Sequence, residues 1–253
     1  MKQHKPLFVG CTRIDFDSLP STNRYARELL ESNPPEGTLI TAAQQTEGKG
    51  LAGNSWYAEP FHNLSFSLII YPKGIGSSNI FSLNILVSVA LLNCLKELYP
   101  NQPFQIKWPN DLLLQGKKIA GILIENTWKN QHLHASIIGI GLNLNTRQFP
   151  ENLQHSAASL WLETGNHLNV DDFLLAYSAH FEALYLQSRT QSNDFKKQAY
   201  LSALWRYQEW AQYEWYGQKQ EGMIIGVNSD GKLAVQTKEN QVLYFDLKEI
   251  VYC

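Results

Sequence analysis

Apolar positions along the chain switch between two periods, and the switches mark its elements. Leu64, Phe66, Leu68 and Ile70 alternate with smaller or polar neighbours across residues 63–71 (NLSFSLIIY), which predicts a strand, and residues 38–45 (TLITAAQQ) form a second such run. Tyr25, Leu29 and Leu30 instead recur at helical spacing behind Pro20 and Ser21-Thr22-Asn23, so a helix is expected with Ser21 as its N-cap. The most apolar stretch, residues 80–98, is interrupted by Ser82, Asn84, Ser88, Asn93, Lys96 and Glu97; a buried helix fits this better than a membrane span. Beyond it come a short strand at 104–108, a hairpin whose runs 112–114 and 119–125 flank Gln115-Gly116-Lys117, and a strand over 134–144. Asn169-Val170-Asp171-Asp172 predicts a capped helix to about Gln187, and a further helical stretch covers 194–207.

The pattern changes near Trp210. Residues 222–227, 232–237 and 242–245 are short strand-like runs separated by Asn228-Ser229-Asp230-Gly231 and Glu239-Asn240-Gln241. The expectation is an α+β domain over residues 1–208 with a small all-β barrel over 209–253. Composition agrees, since 253 residues with 44% hydrophobic content suffice for a main core and a small appended unit. Charge narrows the chemistry further. With 21 Lys and Arg against 23 Asp and Glu, no global positive field draws the chain to nucleic acid or anionic membrane, so any phosphate site must be local. Cys11, Cys94 and Cys253 lack CxxC spacing and the first 20 residues hold no long apolar run, as expected of a reduced, cytoplasmic protein.

Residues 44–53, QQTEGKGLAG, contain GxGxxG. A dinucleotide-binding turn must open a helix, whose N-terminus holds the pyrophosphate; here Asn54-Ser55-Trp56-Tyr57 and Glu59-Pro60 lead into a strand, so that reading fails. The HRD and DFG elements of a protein kinase and the Walker lysine motif are also missing. What is left is a glycine-rich hairpin, with or without a ligand. In Lys107-Trp108-Pro109-Asn110-Asp111 the proline stops a strand and puts Asn110 and Asp111 in the turn. Lys117 and Lys118 open the returning strand, either as solvated charges or as cations that neutralise a phosphate. His132 and His134 share one face of an extended strand without a third ligand nearby and are read as surface residues, while Cys94 is read as core.

Taken together, Ser21-Thr22-Asn23, the glycine loop with Trp56, KWPNDLLLQGKKIAGILIE at 107–125 and GIGLNLN at 139–145 resemble the biotin-protein ligases. That resemblance implies a mixed sheet with helices packed on one face and a small C-terminal SH3-like barrel. It implies that ATP and biotin, with Mg2+, give biotinyl-5'-AMP and pyrophosphate, and that biotin then passes to a lysine of a biotin carboxyl carrier domain. It assigns Lys118 to the biotin carboxylate and the phosphate, with Lys49 as a second cation. Ser21, Thr22, Asn23, Gln45 and Gly121 fall at the biotin site. Gly48, Gly50, Gly53, Trp56, Lys107, Asn110 and Asn143 fall at the nucleotide. Asp111 would orient the incoming amine or help to hold the metal.

Two of these residues keep a plainer alternative: Lys107 suits a structural salt bridge equally well, and an isolated Trp56 suits a core. The loop also departs from its relatives, many of which carry arginines where this chain has Leu51 and Ala52; Lys49 keeps charge without the guanidinium fork. Residues 46–55 are expected to order over bound ligand as a lid. Lipoate ligases and octanoyltransferases share the general fold, but KWPND and the glycine loop favour biotin. Some relatives repress transcription through an N-terminal helix-turn-helix domain, and the 20 residues before Ser21 are too few for one. Neither DNA nor a membrane is therefore an expected partner; the carrier domain is, and self-association through sheet edges is left open.

Overall fold

The structure, a computed structural model, describes residues 5–72, 80–129, 132–190 and 194–253. Its strands and helices in chain order are β1 (Arg13–Leu19), α1 (Thr22–Leu29), β2 (Leu39–Gln45), β3 (Leu64–Ile70), α2 (Phe81–Leu98), β4 (Phe104–Lys107), β5 (Asp111–Leu114), β6 (Lys117–Lys129) and β7 (His132–Leu142). Then come α3 (Leu160–Thr164), α4 (Val170–Ser188), α5 (Asp194–Ser202), β8 (Trp210–Trp215), β9 (Gln218–Val227), β10 (Leu233–Thr237), β11 (Val242–Phe245) and β12 (Ile250–Tyr252). The first seven strands form a mixed sheet in the order β1-β2-β3-β7-β6-β5-β4, with β1 and β2 parallel and the other neighbours antiparallel. Strands β8 to β12 make a separate antiparallel sheet at the C-terminal end, where the small all-β unit was expected.

Alternation along β3 explains the layering. Leu64, Phe66, Leu68 and Ile70 face the main core with α2 and α4, whereas Ile69 joins Ile40, Ile137 and Ala26 of α1 on the opposite face. The large helices therefore cover one face, as expected, and the short α1 sits alone on the other. Helix α2 is long and apolar enough to span a membrane, but here 61% of it is buried inside the fold. Cys94 is part of that core.

Local expectations hold at the caps. Ser21 accepts from the Arg24 N–H, and Asn169 accepts from the N–H groups of Asp171 and Asp172. One helix is shorter than expected: α5 ends at Ser202 instead of near residue 207. The following segment runs along the edge of β4, where Ile106 N–H donates to Ala203 O at 2.8 Å and Trp205 N–H to Ile106 O at 2.7 Å. Arg206 and Gln208 there have φ of 60° and 58°, which no right-handed helix allows. Four elements escaped the pattern: β1, whose burial alternates weakly at a sheet edge, the single-turn α3, and the edge-proximal β8 and β12.

Candidate functional site

On the α1 face the middle of the large sheet is paved with the smallest residues. Gly121 lies opposite Gly141, Gly141 opposite Ser65, and Gly139 opposite Ser67. Without side chains of any height, backbone is open to close approach by other groups. Two neighbours already use it: a Cβ on Gly139 would fall 2.3 Å from Asn23 Oδ1, and one on Gly141 would fall 2.2 Å from the Trp56 ring. Register places the key lysine. By strict alternation from Gly121 and Leu123, Lys118 would point with Ala120 and Ile122 into the core. The register shift between Leu112 and Leu113 against β6 is a bulge that turns it to the glycine side, so its Nζ lies 3.2 Å from where a Gly121 Cβ would be.

The start of α1 supplies the polar wall. Thr22 N–H and Oγ1 both donate to Gln45 Oε1, at 2.7 and 3.1 Å. Behind Thr22 the fully buried Ser67 hydroxyl lies 2.8 Å from Thr22 Oγ1 and donates to Asn23 Oδ1 at 2.6 Å. The Asn23 amide in turn donates to Glu125 Oε2 at 2.8 Å and to the Leu123 carbonyl at 3.3 Å, and Arg27 pairs with the other Glu125 oxygen. Within this hydrogen-bonded network, from Gln45 through Thr22, Ser67 and Asn23 to Glu125, no buried side-chain polar atom lacks a partner, the condition under which it holds one geometry.

Above the floor, the glycine loop folds back on itself. Trp56 N–H donates to Gly48 O at 2.9 Å and Gly50 N–H to Asn54 O at 2.6 Å, with Ala52 and Gly53 at φ of 55° and 84° at the tip. Lys248, from the C-terminal sheet, donates to Ala52 O at 3.0 Å. This is the hairpin expected of the loop. The cavity it partly covers has about 50 Å³ of interior and is lined by Ser21, Thr22, Gln45, Lys49, Trp56 and Lys118, with Asn23, Gly50, Leu51, Asn110 and Gly121 also in its wall. That interior is far smaller than the several hundred Å³ of an ordinary ligand site. Trp56 occupies much of the floor, and its buried Nε1 has no partner.

Charge gathers at one end. Lys118 Nζ is 2.6 Å from Asp111 Oδ1 and 5.4 Å from the Trp56 ring centre. Lys107 sits between the two sheets, its Nζ 4.8 Å from the Tyr252 ring centre and 5.5 Å from that of Trp205. Burial lowers its ammonium below the ordinary lysine value; Lys118 and Arg206 push the same way, and Asp111 opposes them. The expected salt-bridge alternative thus gives way to an aromatic cage. The turn that carries these residues is anchored by Trp108 Nε1, which donates to Gly231 O of the second sheet at 2.8 Å, and by Asn110, whose amide donates to Ile122 O at 2.5 Å. Asp111 belongs to the first residue of β5 and not to the turn.

Gly48, Gly53, Lys107, Asp111 and Asn143 lie outside the cavity wall. Asn143 is buried, with its amide on Ala158 O at 3.1 Å and its Oδ1 unpaired. Residues not singled out by sequence include Gly139, Gly141 and Phe66 of the wall, and Ser67 and Glu125 behind it. The glycines of GIGLNLN were visible as a motif, whereas nothing in the local pattern marks Ser67. His132 and His134 are both exposed on β7, and no cluster of three His, Cys, Asp or Glu exists among the described residues.

Residues 16–143 match the Biotin/lipoate A/B protein ligase family, which is just over half of the chain. Among curated relatives, the bifunctional ligase/repressor BirA of Bacillus subtilis is 37% identical over 163 residues, covering 64% of this chain and 50% of that protein. The biotin--[acetyl-CoA-carboxylase] ligase of Paracoccus denitrificans is 32% identical over 158 residues, covering 61% and 65%. The chain thus spans about half the length of the first of these relatives and less than two thirds of the second. A solved biotin protein ligase from Aquifex aeolicus, in complex with biotin and ATP, superposes with a TM-score of 0.80 at 26% identity, covering 96% of this chain and all of that one.

Proposed function

Since the chain belongs to the Biotin/lipoate A/B protein ligase family, we propose that it is a biotin-protein ligase, which activates biotin with ATP and transfers it to a lysine of a carrier domain. The observation that carries this reading is the pairing of a neutral hydrogen-bonding wall, Ser21, Thr22 and Gln45, with two cations, Lys49 and Lys118, across one glycine floor. A bicyclic acid with a urea head and a carboxylate tail needs both ends of such a site.

In the first step a carboxylate oxygen of biotin bonds to the α-phosphorus of ATP, and the α,β-bridging bond breaks to release pyrophosphate. Two anions must meet, so the barrier is largely electrostatic. Lys118, next to the open backbone of Gly121, and Lys49 with the loop N–H groups of Gly48 and Gly53 counter the charge where it builds. Lys107 adds a third cation, and Asn110 and Asn143 are assigned to nucleotide contacts. Trp56 supplies a flat ring for the adenine, which requires it to leave its present seat on Gly141. Mg2+ supplies further counter-charge. The donor set suits an ion carried in by nucleotide phosphates, since Asp111 is the one carboxylate we assign to it and it already pairs with Lys118.

In the second step the carrier lysine amine attacks the anhydride carbonyl, the carbonyl–oxygen bond breaks, AMP leaves and the amine loses a proton. Asp111, which pairs with Lys118 outside the cavity wall, is assigned to orient that amine. Water must stay out meanwhile, and the lid over residues 46–55, with Leu51 on the cavity side, serves that end. We assign residues 1–208 to the catalytic domain and 209–253 to the small barrel. For self-association, β1 is the available edge of the large sheet, because the segment after α5 covers β4. Three unpaired cysteines accord with a cytoplasmic setting.

The test is to mix the chain with Mg-ATP, a biotin carboxyl carrier domain and either biotin or lipoate, then weigh the carrier by mass spectrometry. A gain of one biotinyl group is expected. A gain with lipoate but not biotin overturns the reading.

A further inference from the structure

We propose that Glu125 and Ser67 are positioning residues that set the hydrogen-bond polarity of the ligand's head pocket through Asn23, so that Thr22 offers an acceptor and the ligand must bring an N–H. The proposal rests on the biotin-ligase reading of the cavity and adds residues that touch no substrate.

The Asn23 amide has one orientation available. Its nitrogen is bracketed by two oxygens without protons to give, Glu125 Oε2 at 2.8 Å and the Leu123 carbonyl at 3.3 Å. Its oxygen therefore faces Ser67, at 2.6 Å, and takes that hydroxyl's only proton. Ser67 Oγ is left as an acceptor, 2.8 Å from Thr22 Oγ1. Thr22 has a single proton, and both of its destinations, Ser67 Oγ and Gln45 Oε1 at 3.1 Å, lie inside the protein. What Thr22 can present to the cavity is a lone pair.

Gln45 is fixed by the same logic. Its oxygen takes the Thr22 N–H at 2.7 Å, so its amide nitrogen is the group left to donate. The wall thus sets an acceptor beside a donor, which complements an N–H beside a C=O. A cyclic urea has that pair; a dithiolane ring has neither. Arg27 holds the second Glu125 oxygen and keeps the carboxylate turned to Asn23. Glycine at 139 leaves room for this arrangement, since any Cβ there would strike Asn23 Oδ1.

The experiment compares the full chain with its Ser67→Ala, Glu125→Leu and Glu125→Gln variants, reading pyrophosphate release with biotin, desthiobiotin and ATP varied in turn. Ser67→Ala and Glu125→Leu should raise KM for biotin and for desthiobiotin, which keeps the urea, by roughly five- to tenfold each, as loss of one neutral hydrogen bond predicts. Neither should move kcat or the KM for ATP. Glu125→Gln keeps an oxygen for Asn23 and should restore the biotin KM. Thermal unfolding checks each variant; if Ser67→Ala does not fold, the two Glu125 variants decide alone. Unchanged biotin KM in Glu125→Leu, equal losses in Glu125→Leu and Glu125→Gln, or an equal rise in the ATP KM overturns the proposal. Wild-type turnover of lipoate without biotin would sink the ligase reading itself, whereas biotin turnover with indifferent variants sinks the positioning role alone.

Discussion

Gly141→Ala places one methyl group where the Trp56 indole now lies. The new Cβ would sit 2.2 Å from Cε2 and 2.5 Å from both Cζ2 and Nε1. Relaxed carbon contacts begin near ~3.5 Å, so the ring must withdraw by about 1.3 Å (3.5 minus 2.2) or leave. The strand cannot yield instead, because Gly141 is held between Ser65 of β3 and Gly121 of β6. Forcing a methyl into packed surroundings costs about 1–3 kcal/mol, and the apolar burial of such a ring is worth a similar 1.5–3 kcal/mol. The loop therefore has little to lose by swinging out. Because Trp56 must leave this seat to pack on the adenine, emptying it removes a competing contact and should lower the KM for ATP by roughly 10- to 100-fold.

The variant's stability should fall by no more than the smaller of these costs, about 1–3 kcal/mol, at about 2–4 °C in Tm per kcal/mol for a chain of this size. Gly139→Ala is the control. Its Cβ would strike Asn23 Oδ1 at 2.3 Å, but Asn23 is pinned inside α1 by Ser67 and Glu125, so the strain should appear as lost stability. Pyrophosphate release against ATP concentration and thermal unfolding give the two readouts. The reasoning is refuted if Gly141→Ala keeps or raises the wild-type KM for ATP while losing as much Tm as Gly139→Ala.

Three further outcomes are expected. Lys118→Ala should slow adenylate formation by about 10²- to 10³-fold, the usual loss for a charge-stabilising donor, and an unchanged rate removes the main support for its role. The lowered Lys107 ammonium should give kcat/KM for ATP an alkaline limb that begins below the ordinary lysine value of 10.5 and moves upward in Lys107→Arg; a limb identical in both variants assigns it elsewhere. The sign for stability is opposite to that for activity: between the lowered value and 10.5 the unfolded chain binds more protons, so this group's contribution to stability rises with pH. Lys248→Ala removes the tie between the C-terminal sheet and Ala52 O, and should raise the hydrolysis of biotinyl-5'-AMP while leaving its formation rate alone; equal hydrolysis would show the tie has no closing role.

By itself, the sequence determined the elements whose burial repeats locally: the alternation of β3, the apolar length of α2, and the caps at Ser21 and Asn169. It also determined that the glycine loop leads into a strand, which removed the dinucleotide reading, and it held the motifs on which the family likeness rests. Only the tertiary structure decided which side of the sheet those motifs serve. Strict alternation would bury Lys118, and a bulge against β5 turns it to the glycine floor. Ser67 reads as one more small residue in a strand until Thr22 and Asn23, 44 or more positions away, close on it. Lys107 meets Tyr252, and Ala52 meets Lys248, across most of the chain's length. Periodicity records what neighbours in sequence must share, a face and a burial. Contacts of this reach are set by strand order, register and the docking of one sheet on another, and those depend on the whole fold at once.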